Sequence, residues 1–122
     1  MLQSDADIHA LVQEKLVHDL LYESPVALLV VDDDMRVLVA NDAASQLSGY
    51  TVHELTQLEP GAISADPERS AHKAGLVHLG GRLASTSRVR HKDGHDVSCS
   101  YFAWEVVVSG MPFIAILLWP DA

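Results

Sequence analysis

The chain has 122 residues, 48% of them apolar and 20% charged, a composition that supports one packed core and excludes both a second domain and a disordered chain. Eight Lys and Arg against 17 Asp and Glu leave a formal charge of -9, which opposes phosphate backbones and anionic lipid, so neither direct nucleic-acid binding nor membrane binding is expected. The single cysteine, Cys99, cannot form an internal disulfide, the first ten residues are acidic where a signal peptide is basic, and no apolar run is long enough for a membrane span; a cytoplasmic location is expected.

In chain order, Ser4 and Asp7 have the S-x-x-D spacing of a capping box, predicting a helix that Pro25 stops near Tyr22. Its apolar residues Ile8, Leu11, Val12, Leu16, Val17, Leu20 and Leu21 cover more than half of the helix circumference, wider than one packing partner needs. VALLVV at 26–31, the acidic turn at 32–34 and RVLVA at 36–40 predict a β-hairpin. Asn41 or Asp42 then caps a short helix that Gly49 ends in the left-handed conformation. Thr51 and Glu54 form a second capping box that restarts the chain as a helix to about Leu58, before Pro60 and Gly61. Asp66 and Pro67 suit the N-cap and first position of a helix running to Leu79 and ended by Gly80 and Gly81. From Arg82 the pattern becomes a three-stranded meander with turns at Asp93-Gly94 and Ser109-Gly110. The whole is an α+β layout with an antiparallel sheet.

Strand parity defines the expected pocket. Val97, Cys99, Tyr101 and Ala103 share one face of their strand, and Ser98, Ser100, Phe102 and Trp104 share the other. If the first set faces the middle helices, Leu47, Leu55, Leu76 and Leu79 complete an apolar wall, either around a ligand pocket or as a filled core. Phe113, Ala115 and Leu117 are the matching last-strand candidates, although that strand is apolar on both faces and periodicity leaves its parity open. On the opposite sheet face Phe102 and Trp104 offer a surface to Ile8, Leu11, Val12, Leu16 and Leu20. The leftover apolar arc of that helix then predicts a homodimer, against the alternative of a monomer whose helix only plugs the sheet.

The run N-x-A-x-x-x-L-x-G-Y-x-x-x-E-L at Asn41, Ala43, Leu47, Gly49, Tyr50, Glu54 and Leu55 resembles a PAS domain. The run R-x-R-x-K-D-G at Arg88, Arg90, Lys92, Asp93 and Gly94 adds to the resemblance, which extends over residues 22–119. It implies a PAS fold: a five-stranded antiparallel sheet of order 2-1-5-4-3, with short helices on one face around a small apolar pocket. Residues 1–22 then form an N-terminal capping and dimerisation helix and residues 23–122 the PAS domain. The implied function is that of a sensory and dimerisation module of a bacterial signalling or transcription-regulatory protein, not an enzyme, that relays ligand occupancy to an effector; a ligand-free interaction scaffold is the alternative. The ending WPDA departs from the coda with which many relatives lead into a signalling helix, consistent with either an excised sensor or a stand-alone module.

No particular cofactor is implied. His72 resembles the helix histidine through which haem-containing relatives hold iron, and the competing reading is an exposed helix histidine. Cys99 lies on a strand and lacks the N-C-R-F-L context of flavin-adduct relatives, so it reads as a small buried hydrophobe. Among the seven histidines, His72 and His78 do not share a helix face. His91 and His95 flank a turn without a known ligand spacing, so no metal site is expected. No nucleophile elbow or phosphate loop is present.

Overall fold

A computed structural model describes residues 5–121. The order is α1 (Asp5–Tyr22), β1 (Ala27–Val31), β2 (Val37–Ala40), α2 (Asp42–Ser48), α3 (Val52–Gln57), α4 (Pro67–Gly80), β3 (Arg82–Arg90), β4 (Asp96–Val108) and β5 (Met111–Pro120). The strands form one sheet of order β2-β1-β5-β4-β3, with every neighbouring pair antiparallel.

Local hydrogen-bond chemistry sets the helix boundaries. The Asn41 side chain accepts from the Ala44 backbone and starts α2, and Gly49 ends it at φ 78°, a left-handed conformation that glycine adopts without a Cβ penalty. Thr51 Oγ1 accepts from the Glu54 N–H at 3.1 Å while Glu54 Oε1 accepts from the Thr51 N–H at 3.0 Å. This reciprocal capping box starts α3. Asp66 caps α4, whose first residue is Pro67. The capping box expected at Ser4 involves a residue outside the described ones.

Register divides the sheet into two faces. Tyr101 pairs with Leu118 and Ala103 with Ile116, while Leu29 also pairs with Ile116, so these rows lie on the inner face beneath α2, α3 and α4. Phe102 pairs with Leu117 and Trp104 with Ala115 on the outer face. The core lies on the inner side. Leu55 is 0% exposed there, packed with Val77, Cys99, Ile114 and others in one cluster. Each such fully buried aliphatic side chain contributes about 1.5–3 kcal/mol by leaving water.

Asn41 joins three elements and is 1% exposed. Its Oδ1 accepts from the N–H groups of Leu28 (2.9 Å) and Ala44 (3.0 Å), and its Nδ2 donates to the carbonyls of Leu21 (2.8 Å) and Val26 (2.9 Å). Both lone pairs and both protons are used, so the buried amide is fully satisfied.

The N-terminal helix departs from expectation. Instead of covering the outer sheet face of its own subunit, α1 leaves Ile8, Leu11, Val12, Leu16, Val17, Leu20 and Leu21 exposed, Leu20 to 70%. On the outer face Phe102 is exposed and Trp104 half-buried, their rings in tilted contact at 5.9 Å. An apolar arc predicts that a helix is covered, but it carries no information on which surface covers it. No helix among the described residues is long and apolar enough to cross a membrane.

Candidate functional site

A cavity of about 90 Å³ lies between the inner sheet face and α4. Cys99, Tyr101 and Ala103 of β4 line it together with Leu29 and Val31 of β1, Ile114, Ile116 and Leu118 of β5, and Val89 of β3. The helix side is made by Ser70, Lys73, Ala74 and Val77. This is the i, i+3, i+4, i+7 stripe of one helix face. Met35 and Ile63 close the cavity from the loops.

Several expected wall residues stand elsewhere. Leu55 is buried in the core, and Leu47 and Val97 are half-buried against it, but none of the three lines the cavity. Leu76 is exposed and Leu79 is 87% exposed, so both are corrected to the solvent side of α4. The stripe at 70, 73, 74 and 77 is built from Ser, Lys, Ala and Val, and choosing the leucines selected the wrong side of the helix. Phe113, Ala115 and Leu117 are likewise corrected to the outer face. The cavity takes Ile114, Ile116 and Leu118, the opposite parity of a strand whose two faces are both apolar.

His72 does not fit a haem site. It is exposed on α4, outside the lining stripe, and a cavity of about 90 Å³ is far below the several hundred Å³ typical of cofactor pockets. Cys99 is fully buried. Burial, with a smaller contribution from the Asp121 charge, pushes its thiol up from the ordinary range, which keeps it protonated and a poor nucleophile.

The cavity adjoins a polar groove of about 290 Å³ between the start of α4 and β3, and the two share Ser70, Lys73, Ser87 and Arg88. Lys73 stands at the boundary. Its Nζ donates to the Thr86 carbonyl and lies 5.6 Å from the centroid of the Tyr101 ring, within cation–π range. Burial and then the Arg69 charge pull the Lys73 ammonium below its ordinary value, while Asp66 opposes them. Burial also raises the Tyr101 phenol. Sequence reasoning missed Lys73 and Ser70; the signal available was their spacing with Ala74 and Val77.

The helix break at Gly49 forms a second ordered feature. The β3–β4 turn docks there: Lys92 N–H donates to the Ser48 carbonyl at 2.8 Å, and its Nζ reaches Glu54 at 2.7 Å. A Cβ on Gly49 would stand 2.4 Å from the His91 ring. In the same turn Asp93 brings His91 and His95 together, their rings stacked at 4.5 Å, in a grouping that the spacing of the two histidines did not suggest. Asp93 Oδ1 accepts from the His95 N–H at 3.0 Å, and the Asp93 N–H donates to His91 Nδ1 at 3.1 Å. These bonds fasten the turn.

A family model described as a PAS domain matches residues 17–78, half of the chain. The fold is similar to that of a PAS domain from a two-component sensor histidine kinase, at TM-score 0.80 and 15% identity, covering 92% of this chain and 99% of that one. It is also similar to the PAS domain of an HTR-like protein from Haloarcula marismortui, at TM-score 0.82 and 14% identity over 98% and 100% of the two chains. The PAS domain of nitrogen regulation protein NR(II) from Vibrio parahaemolyticus gives a TM-score of 0.74 at 13% identity over 87% and 98%. A search of curated proteins returns no match. The matched segment runs from the last turns of α1 through almost all of α4, which contribute the Asn41 junction, the Gly49 break and the helix wall of the cavity; the chain belongs to the PAS domain family of sensory signalling modules.

Proposed function

We propose that this chain is the sensory and dimerisation module of a cytoplasmic, bacterial signalling or transcription-regulatory protein, without catalysis of its own. It takes a small ligand in the cavity beneath α4 and relays occupancy to an effector. The observation that carries this reading is an apolar cavity walled by Tyr101, Ile116, Val77 and their neighbours, beside the buried core cluster. Ligand occupancy biases two arrangements of α1 against the sheet. Dimerisation pairs the apolar arc of α1 with the outer-face Phe102 and Trp104, both groups being exposed or half-buried in the single chain. Such arcs left open to water mark association surfaces.

The experiment is native mass spectrometry of freshly purified protein, alongside deletion of residues 1–22. A retained small molecule, and a deletion that changes oligomeric state and Trp104 emission, support the reading. If deletion leaves oligomeric state, emission and stability unchanged, the α1 account fails. The small volume of the cavity, about 90 Å³, favours a second reading as a ligand-free interaction scaffold, which repeated absence of any retained molecule supports.

A further inference from the structure

The cavity and its adjoining groove differ in chemistry, and together they specify a ligand class. Apolar side chains of β1, β4 and β5 form the inner end. A volume of about 90 Å³ is smaller than the cavity of about 150 Å³ that accepts benzene, so it suits an apolar tail of only a few carbons. The outer end is basic. Arg69, Lys73 and Arg88 line the groove, three of only eight Lys and Arg in a chain of net charge -9.

The acidic groups facing the same groove are Asp66 and Asp121, which keep their charge and are each held in place by a hydrogen bond from a neutral donor. Asp66 Oδ1 accepts from the Arg69 backbone N–H at 3.2 Å as the α4 cap, and Asp121 Oδ1 accepts from Ser100 Oγ at 2.6 Å. Arg88 pairs with Asp96 at 3.4 Å. Lys73 donates to a neutral carbonyl, that of Thr86, and faces the Tyr101 ring. Arg69 forms no ion pair among the described residues, and it is near enough to Lys73 for the two charges to repel. Neither cation makes an ion pair among the described residues, and the Arg69 charge acts on Lys73 more strongly than the opposing Asp66 charge does; two such cations at the mouth of an apolar hole match an anion attached to an apolar tail. A charge-assisted bond from Lys73 to a carboxylate is stronger than its present bond to a neutral carbonyl. The planar fork of Arg69 suits the two oxygens of a carboxylate.

We infer that the site takes a small amphipathic carboxylate, its short apolar tail in the cavity beneath α4 and its carboxylate between Lys73 and Arg69. This inference rests on the reading of the cavity as a ligand site. Binding removes the Lys73–Thr86 contact that ties α4 to β3 and replaces it with a ligand bridge, so occupancy is felt at the helix that forms the cavity wall.

The test titrates the full chain near pH 7 with isovalerate, its neutral isostere isovaleramide, and inorganic phosphate, following backbone amide shifts. Isovalerate is expected to shift amides around Val77 and Cys99 and to bind at least about tenfold more tightly than the amide. Arg69→Gln and Lys73→Gln should each weaken the acid about tenfold and leave the amide unchanged, with phosphate failing to reach the cavity amides. Equal affinity for acid and amide, or unchanged acid affinity in both variants, overturns the carboxylate inference while the cavity remains a ligand site. If neither acid nor amide shifts the cavity amides and native mass spectrometry detects no retained molecule, the ligand reading itself falls. Arg69 is on the surface, so its variant stays informative even if Lys73→Gln perturbs folding.

Discussion

The two faces of the sheet are made from similar residues and meet different fates. On the inner face, Leu29, Ala103 and Ile114 are buried against helices, and the chain closes over them with two left-handed glycines, a capping box and a turn clamp. On the outer face Phe102 is exposed beside Trp104, and α1, which does not cover that face, presents seven apolar residues to water. The difference lies in the connections. α2, α3 and α4 pack directly on the sheet and are fixed there by caps and clamps, whereas α1, although its linker to β1 is short, is tied to the domain by the hydrogen bond from Asn41 Nδ2 to the Leu21 carbonyl. Apolar character alone therefore establishes that a surface needs covering, and tethering determines whether its own chain covers it.

Truncations on the two sides should separate them most. Leu55→Ala, at 0% exposure, should cost about 3 kcal/mol in chemical denaturation, whereas Leu16→Ala on α1 should leave monomer stability within about 0.5 kcal/mol. A large loss at Leu16 that depends on protein concentration would instead locate its partner in a second subunit. Asn41→Ala comes next. It strands two N–H groups and two carbonyls, some of which water can reach, so the expected loss is about 2–3 kcal/mol, with increased hydrogen exchange at the end of α1 as its specific mark.

Gly49→Ala tests the clamp on the inner side. Its φ of 78° disfavours a side chain, and the new methyl would meet the His91 ring. A loss of about 2 kcal/mol is expected, and the Gly49→Ala, His91→Ala double variant should recover the part due to contact. The smallest effect is electrostatic. The hydrogen bond from Lys92, then that from the Thr51 backbone, holds the Glu54 carboxyl below its ordinary 4.5. A depressed carboxyl contributes stability that is present above the unfolded value and lost as pH falls through the folded one. Wild type and Lys92→Met should therefore differ near neutrality and converge on acidification. The difference should also shrink in high salt, because the pair is at the surface.

What the sequence disclosed follows the same division. Caps at Asn41, Thr51 and Asp66 are legible because a side chain within three residues of the helix start completes each of them. The face of β4 was legible because serines alternate with apolar residues near its start. β5 has no such contrast, so choosing Phe113, Ala115 and Leu117 over Ile114, Ile116 and Leu118 had no physical basis in periodicity. On α4 the misleading cue was size: Leu79 is bulkier than Ala74, yet small and amphipathic side chains let the helix approach the sheet and leave a hole. The place of α1 was not legible because an apolar arc names no partner.

Asn41 has a consequence for how any signal would move. An amide with all four of its hydrogen bonds made has no spare valence with which to follow a gradual displacement. If α1 pivots at its end, the bond to Leu21 is either kept or abandoned, and a carbonyl abandoned next to a buried amide costs energy until water or another donor replaces it. The junction then resists small displacements of the helix and yields only when that bond breaks.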